Sequence, residues 1–271
     1  MMVQQDQRDE RYLVDQMQCY QAISTRIARG WTVPMENRFI EKLRGFADFG
    51  DPELRALERV TAHPRAYIAR KDLIREGDPP GPVLVVLEGW AFRYKVLPSG
   101  TRQIMAFLMP GDACDLHIGM LAEMDHSIQT VTKATVATID RAAMDDMLAS
   151  HPRIATAMYI AQLVDEGTLR AWIVSLGRRS SIERVAHLIL ELFLRAVRIG
   201  LSDGTTMELP LPQAVLADAL GMTPVHINRI LQELRRSDAI ELSRGVLRIK
   251  DPAALTHISG FDANYLHKRL K

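Results

Sequence analysis

The chain has 271 residues, of which 47% are hydrophobic and 25% are charged. This length and composition predict one large globular domain or two small ones. The 34 basic and 33 acidic residues leave a net charge of +1, which excludes a histone-like polycation and an acidic disordered tail. No apolar run reaches the roughly 18 residues of a membrane span, and the acidic start of the chain is not typical of a signal peptide. We therefore expect a cytoplasmic protein without a membrane partner.

The first half of the chain changes from helical patterns to strand patterns. Residues 1–35 carry a weak apolar stripe and predict a helical extension, and residues 36–62 predict further helices. From residue 66 to residue 140, β-branched and alternating runs are separated by Gly and Pro turns, as in an antiparallel barrel or jelly roll. We therefore predict a sensor β-barrel domain with flanking helices over residues 36–150.

A single long helix is predicted over residues 151–177. Mostly small residues recur along it at alternating spacings of three and four, as at the seam of a coiled coil. We interpret this stripe as the seam of a homodimer, and the alternative is one face of an ordinary core helix. A second apolar set, which includes Leu169 and Ile173, lies beside the stripe, so one face can pack on the barrel while the other meets a partner. The predicted seam consists of Ile154, Ala157, Ala161, Val164, Thr168, Ala171 and Ser175.

The segment from residue 211 to residue 236 predicts two short helices that cross closely. Gly221 ends the first helix, Thr223 caps the second and Pro224 is its first residue. A hairpin pattern follows over residues 239–249. This order predicts a winged helix-turn-helix domain over residues 178–251, with a tail over residues 252–271.

Double-stranded DNA is the partner that this motif indicates. Arg229 on the second helix is suited to a guanine edge, and Arg244 on the wing to a phosphate. Residues 178–250 hold 11 Lys and Arg against 8 Asp and Glu, hence +3, while the rest of the chain is −2. The alternative is a ligand-controlled protein-interaction module that does not bind DNA. The predicted DNA contacts are Gln213, Thr223, Val225, His226, Asn228, Arg229, Gln232 and Arg244.

The order of barrel, long helix and winged helix-turn-helix resembles the Crp/Fnr family of bacterial transcription regulators. The resemblance also rests on Arg-Glu-Gly-Asp at 75–78, Leu-Glu-Gly at 87–89 and Pro-Gly-Asp at 110–112. It implies an α+β fold with a cyclic-nucleotide-binding-like barrel, and a homodimer paired on the long helix. It further implies binding to a palindromic promoter site and contact with RNA polymerase. In the recognition helix, Pro224 and Val225 replace the family's common Arg-Glu pair, so we expect a different operator.

The resemblance also locates a tentative ligand pocket. In members that bind cyclic AMP, a Glu binds the ribose and an Arg-Ser pair binds the phosphate. Here Leu116 and His126 replace the Glu and the Arg, and Ser127 alone is retained, so we do not expect cyclic AMP to bind in the usual mode. The tentative pocket comprises Asp115, Leu116, His117, His126, Ser127 and Arg170.

We predict no cofactor and no metal site. Two cysteines, Cys19 and Cys114, are too few for the four-cysteine iron–sulfur cluster of the family's oxygen sensors. His117 falls at the position of the haem ligand in the CO-sensing members, and the alternative, which we prefer, is a barrel-rim histidine. A haem-sensing or other ligand-sensing member is therefore the second hypothesis. A cupin-type enzyme is not predicted, because His117 and Glu123 do not supply three metal ligands.

Overall fold

The computed structural model describes residues 37–114 and 122–266. Their contacts form two compact units that divide within one long helix, between Glu166 and Gly167. Among these residues, no helix is long and apolar enough to cross a membrane. The predicted extension over residues 1–35 lies outside the described residues.

The first unit contains two short helices, a set of short strands and a third helix. The helices are α1 (Arg38–Arg44), α2 (Asp51–Val60) and α3 (Arg141–Ser150). The strands are β1 (Arg65–Tyr67), β2 (Asp72–Ile74), β3 (Val83–Glu88), β4 (Ala91–Val96), β5 (Arg102–Leu108), β6 (Ala113–Cys114), β7 (Ser127–Thr130) and β8 (Ala134–Ile139). The long helix α4 (Pro152–Arg178) follows and continues into the second unit.

The strands form two four-stranded antiparallel sheets, in the orders β1-β8-β3-β6 and β2-β7-β4-β5. Leu84 and Val86 of β3 share one buried cluster with Leu108 of β5 and Ile128 of β7. Side chains from both sheets therefore meet in one core, which is the arrangement of a jelly roll. The fold class predicted from the sequence is confirmed.

The opposite face of β3 packs on helices. Val83 and Val85 lie in a second buried cluster with Phe39 of α1, Leu57 of α2 and Met144 of α3. Successive residues of a strand point to opposite faces. Because both faces of β3 are covered, the run is apolar at every position instead of alternating.

The stripe that we predicted as a dimer seam is covered by its own chain. Ile154 and Ala157 are fully buried in the helical cluster of the first unit. Val164, Thr168 and Ser175 are also buried, and Ala161 and Ala171 are half-buried. This burial corrects the prediction, since a helix must first bury one face in its own core, and small residues suit that close packing. The large apolar side chains that remain exposed on α4 are Tyr159, Leu169, Ile173, Val174 and Leu176.

Gly89 and Gly111 belong to the Leu-Glu-Gly and Pro-Gly-Asp motifs and lie at positions where a Cβ would overlap the backbone. Gly89, in the turn between β3 and β4, has φ +78°, and a Cβ there would lie 2.2 Å from the carbonyl oxygen of Lys133. Gly111 has φ +93°, and its Cβ would lie 2.6 Å from the carbonyl oxygen of Arg38 in α1. These motifs therefore serve close backbone approaches inside the first unit.

The Pro-Gly-Asp motif ends on a buried carboxylate. Asp112 accepts a hydrogen bond from the backbone N–H of Met109 at 2.7 Å, and its other oxygen lies 2.6 Å from Lys42 Nζ. Lys42 belongs to α1, so this pair joins the helix to the barrel. A buried carboxylate needs such partners because its desolvation is costly.

The second unit begins with the C-terminal half of α4. Ser180 caps α5 (Ser181–Arg198) in a capping box: Ser180 N–H donates to Glu183 Oε2 at 2.6 Å and Ser180 Oγ accepts from Glu183 N–H at 3.5 Å. The remaining elements are β9 (Thr206–Glu208), α6 (Gln213–Leu220), α7 (Pro224–Arg236), β10 (Ile240–Ser243), β11 (Val246–Ile249), α8 (Pro252–Ser259) and a 3-10 turn (Ala263–Leu266). The three strands form one sheet in the order β10-β11-β9.

The chain after the wing returns to cover α5. His187 packs against the rings of Phe261 and Tyr265, with centroid distances of 4.9 Å and 5.9 Å. Beside them, the fully buried Glu191 accepts hydrogen bonds from Tyr265 Oη at 2.9 Å and from Trp172 Nε1 at 3.1 Å. The C-terminal segment is therefore part of the core of the second unit.

Candidate nucleic-acid interface

The helix-turn-helix follows the local signals of the sequence. Gly221, after α6, has the left-handed backbone with φ 64° and ψ 43°. Thr223 Oγ accepts from the backbone N–H of His226 at 3.2 Å, and Pro224 is the first residue of α7. One apolar stripe of α7 is buried. Its members are Ile227, Ile230, Leu231 and Leu234.

The face of α7 opposite this stripe is open at its N-terminal half. Val225 is 81% exposed, and Arg229 and Gln232 are exposed as well. His226 and Asn228 are half-buried. In a helix-turn-helix these positions of the second helix enter the major groove. The structure therefore brings together the residues that we predicted as base contacts.

Two side-chain contacts order this face. Gln213 Nε2, at the start of α6, donates to Asn228 Oδ1 at 3.2 Å. Arg229 Nη2 lies 3.0 Å from His226 Nδ1. A guanidinium can only donate, so Nδ1 is the acceptor and the ring proton is on Nε2. Nε2 of His226 thus offers an N–H donor at the other edge of the ring.

Arg244 lies at the tip of the wing. Ser243 pairs with Val246, and the two residues between them have φ 50° (Arg244) and φ 79° (Gly245). Positive φ at both central positions is the geometry of a type I′ turn. The carbonyl of Gly245 accepts from the backbone N–H of Leu209 at 2.7 Å, which fixes the turn to the body of the unit. The exposed Arg244 is therefore held outward on a defined loop, where a phosphate can reach it.

Sequence reasoning missed one residue that supports the motif. Arg184 of α5 donates from Nη1 to the carbonyl oxygen of Leu220 at 3.0 Å. Leu220 is the last residue of α6, whose terminal carbonyls lack partners within the helix. No periodicity signals this contact, because the two residues are 36 positions apart.

Only part of the tentative ligand pocket lies among the described residues. Asp115, Leu116 and His117 lie outside them. His126 and Ser127 belong to the first unit, and Arg170 belongs to the second. The structure does not show these six residues as one pocket.

The two barrel candidates serve contacts of the barrel itself. Ser127 Oγ accepts from the backbone N–H of Glu76 at 2.9 Å. His126 Nδ1 lies 2.6 Å from Asp125 Oδ1, and this hydrogen bond lowers the pKa of the Asp125 carboxyl. Both candidates therefore make local contacts within the barrel, and the charged carboxylate of Asp125 lies directly beside His126.

Within the described ranges, no group of three or more His, Cys, Asp and Glu side chains is placed to hold a metal ion. Cys114 is buried on β6. Cys19 and His117 lie outside the described residues.

The sequence matches two protein families in chain order. A cyclic nucleotide-binding domain matches residues 64–151, and a Crp-like helix-turn-helix domain matches residues 183–258. The nitrogen fixation regulation protein FixK of Bradyrhizobium diazoefficiens is 31% identical over 169 residues, which cover 62% of this chain and 70% of the relative. The chain belongs to the Crp/Fnr family.

Other relatives agree with this membership over more of the chain. FixK of Azorhizobium caulinodans is 28% identical over 236 residues, covering 85% of this chain and 93% of the relative. The solved structure of FixK2 from Bradyrhizobium japonicum has the same fold, with a TM-score of 0.65 at 22% identity, covering 74% of this chain and 98% of that one. Crp/Fnr proteins are DNA-binding transcription regulators and not enzymes, as the sequence predicts for this chain.

Proposed function

We propose that this Crp/Fnr protein acts as a homodimer that binds a palindromic promoter site. The observation that carries the proposal is the open N-terminal half of α7, where polar side chains face away from the core. Two copies of this helix, one in each protomer, read two half-sites one helical turn apart, about 10–10.5 bp. The partner is chromosomal DNA, so we expect the protein to act in the cytoplasm and to contact RNA polymerase there.

Direct readout is assigned to the side chains on the open face of α7. Arg229 presents a planar pair of donors suited to the O6 and N7 acceptors of guanine. His226 adds an N–H donor, and the largely exposed Val225 suits the methyl group of thymine. Pro224 offers no backbone donor, so the half-site differs from those of relatives with an Arg-Glu pair there.

Dimerisation is assigned to the exposed apolar stripe of α4. Leu169, Ile173 and Leu176 are spaced by four and three residues, and Ile173 is 70% exposed. This spacing is that of a coiled-coil seam, which buries such side chains against a second helix. The stripe lies on a different face from the one that we first predicted.

We propose that cyclic AMP does not control this protein in the family's usual mode. Support comes from His126 at the place of the arginine and from the carboxylate of Asp125 beside it. Haem sensing through His117 stays a prediction.

The DNA-binding proposal is tested by Arg229→Ala in selection from random duplexes. We expect a loss of about 1–3 kcal/mol in specific binding and a relaxed preference at one base pair of each half-site. Arg236→Ala, an exposed arginine of the last turn of α7, is the matched control and keeps the base preference. Unchanged preference in the first variant refutes the role of Arg229. Failure of the unaltered protein to enrich any duplex favours the interaction module without DNA binding.

The dimer proposal is tested by Ile173→Lys in light scattering. We expect monomers, because a charge at the centre of an apolar seam is not compatible with its burial. Ile68→Lys is the matched control, since Ile68 is 75% exposed and lies in the first unit, between β1 and β2. A persistent dimer in the Ile173 variant means that the proposed stripe is not the interface.

A further inference from the structure

A cavity of about 370 Å³ lies in the second unit, apart from the barrel. Its walls are the C-terminal half of α4, the start of α5 and the segment after α8. The volume is within the range of about 300–1,000 Å³ that small-molecule sites occupy. Exposed residues such as Asp262 and Asn264 form its rim, and the buried His187 lies at its floor.

Arg179 supplies the cationic group of this cavity. Its Nε donates to the carbonyl oxygen of Ser259 at 3.2 Å, and its Nη2 to that of Gly260 at 3.4 Å. The third nitrogen, Nη1, is buried and has no hydrogen-bond partner within the described part of the chain. A buried guanidinium N–H without an acceptor is unfavourable by about 1–3 kcal/mol or more. The two carbonyls orient the guanidinium without neutralising its charge.

Arg170, Arg179 and one carboxylate, Asp262, line this cavity, and Arg179 also interacts electrostatically with Glu183, which is not part of the lining. Burial lowers the pKa of His187 to about 3, so its ring is neutral at physiological pH. The hydroxyl of Tyr265 already donates to Glu191 Oε2 at 2.9 Å, and burial raises its pKa well above the ordinary range. Arg170 and Asp262 are both exposed. The lining therefore holds two arginines and one carboxylate, and this excess of positive charge favours a bound anion.

The opposite wall is small and apolar. Ala171 and Val174 of α4 line it, and Gly167 removes bulk one turn earlier. Such a wall accepts a flat or aliphatic body but offers it no hydrogen bond. The ligand that fits both walls has a charged end with two oxygens and a hydrocarbon body.

We propose that this cavity is a binding site for a small organic carboxylate, with the carboxylate on Arg179 and the hydrocarbon body against Ala171 and Val174. Arg179 lies between the last residue of α4 and Ser180, the N-cap of α5. A ligand here binds at the joint between the long helix and the winged domain. The site is distinct from the barrel pocket that the family match covers.

The test is calorimetric titration of the full-length protein, without DNA, with sodium benzoate and sodium hexanoate at constant ionic strength. We expect at least one of the two to bind with a dissociation constant of about 1 mM or lower. Arg179→Gln should weaken this binding about tenfold or more, because it removes the positive charge that attracts the carboxylate. Arg178→Gln is the matched control, as Arg178 is the exposed neighbouring arginine outside the cavity lining, and it should bind like the unaltered protein.

A second variant tests the site without touching the arginine. Val174→Trp fills the apolar side of the cavity from an exposed position and should abolish binding while unfolding remains cooperative. Benzamide and hexanamide, which share the two shapes without the charge, should not bind. The proposal is overturned if neither carboxylate binds at about 50 mM, far above the expected dissociation constant. It is also overturned if the amides bind as well as the carboxylates, or if Arg179→Gln and Arg178→Gln behave alike. Because no DNA is present, these results are independent of the proposed operator binding.

Discussion

The two units of this protein use their motif residues for different purposes. In the first unit, Gly89, Gly111 and Asp112 make close approaches and buried contacts of the barrel itself. In the second unit, Arg229 and Gln232 of α7 are exposed on the face of the helix that points away from the core. A motif match in the first unit therefore reports how the chain folds, whereas a match in the second reports what the chain binds.

This difference limits what the match to a cyclic nucleotide-binding domain conveys. The resemblance puts a phosphate-binding arginine at the position where this chain has His126, so the match to the domain does not by itself carry a nucleotide site. Similar folds with different sites are the general rule among such domains.

The largest loss of stability is expected for Gly89→Ala in the first unit, where we infer that the motif glycines serve the fold. A Cβ 2.2 Å from a backbone oxygen, at φ +78°, requires the backbone to move, so we expect a loss of more than about 4 kcal/mol in unfolding free energy. Gly100→Ala is the control, since Gly100 also has positive φ (82°) but nothing within 4 Å of its Cβ, and should lose about 1 kcal/mol. Denaturant unfolding measures both. A stable Gly89 variant that has lost only regulation would mean that this motif serves function after all.

The next largest effect is expected for Glu191→Leu in the second unit. The substitution leaves the buried donors of Trp172 and Tyr265 without their acceptor, and we expect a loss of about 2–4 kcal/mol in unfolding free energy. Glu191→Gln keeps an oxygen acceptor and should lose less. Equal losses from the two variants would show that the charge, and not the hydrogen bonds, matters at this position.

The pH dependence of stability gives a third test, through His187. Burial and the neighbouring Arg179 hold its pKa at about 3, below the value of 6.5 expected in the unfolded chain. Between these values only the unfolded state binds the proton, so stability falls as the pH falls, by up to about 1.4 kcal/mol per pH unit. His187→Phe should remove this contribution, and His257→Phe, at an exposed histidine, should not. Denaturant unfolding at pH values from about 7 to about 5 measures the slopes.

The smallest effect is expected for Arg244→Asn at the wing tip. Asparagine tolerates the positive φ of this position, so stability should stay within about 0.5 kcal/mol of the original. Binding should weaken by about 1 kcal/mol for all sequences alike, with a shallower salt dependence, because a phosphate contact is lost. A change of base preference would instead assign Arg244 to direct readout.

Local signals made the helix-turn-helix predictable. The left-handed residue Gly221, the cap Thr223 and the first helical residue Pro224 stand within four positions of one another and need no distant partner. The jelly roll was predictable as a class from turn spacing, but its pairings join distant segments. β9, a three-residue strand that pairs with β11 across the whole motif, carries no periodicity and was missed.

The face of α4 could not be assigned from its pattern. Periodicity shows that a stripe of a helix is buried but not against what. Ile154 and Ala157 have the spacing of a coiled-coil seam, yet their partners are α1, α2 and β3 of the same chain. Likewise, the site around Arg179 depends on carbonyls 80 and 81 residues further along the chain.

The packing of the C-terminal segment has a practical consequence for dissecting this regulator. The helix-turn-helix match ends at residue 258, yet Phe261 and Tyr265 shield His187 and Glu191 beyond that point. Arg198 at the end of α5 also donates to the carbonyl oxygen of Leu266 at 2.9 Å. A fragment that ends at residue 258 would lack Phe261 and Tyr265, and it would expose the buried side chains of His187 and Glu191 to water. An autonomous DNA-binding fragment must therefore be cut after Leu266, and an affinity tag there needs a spacer.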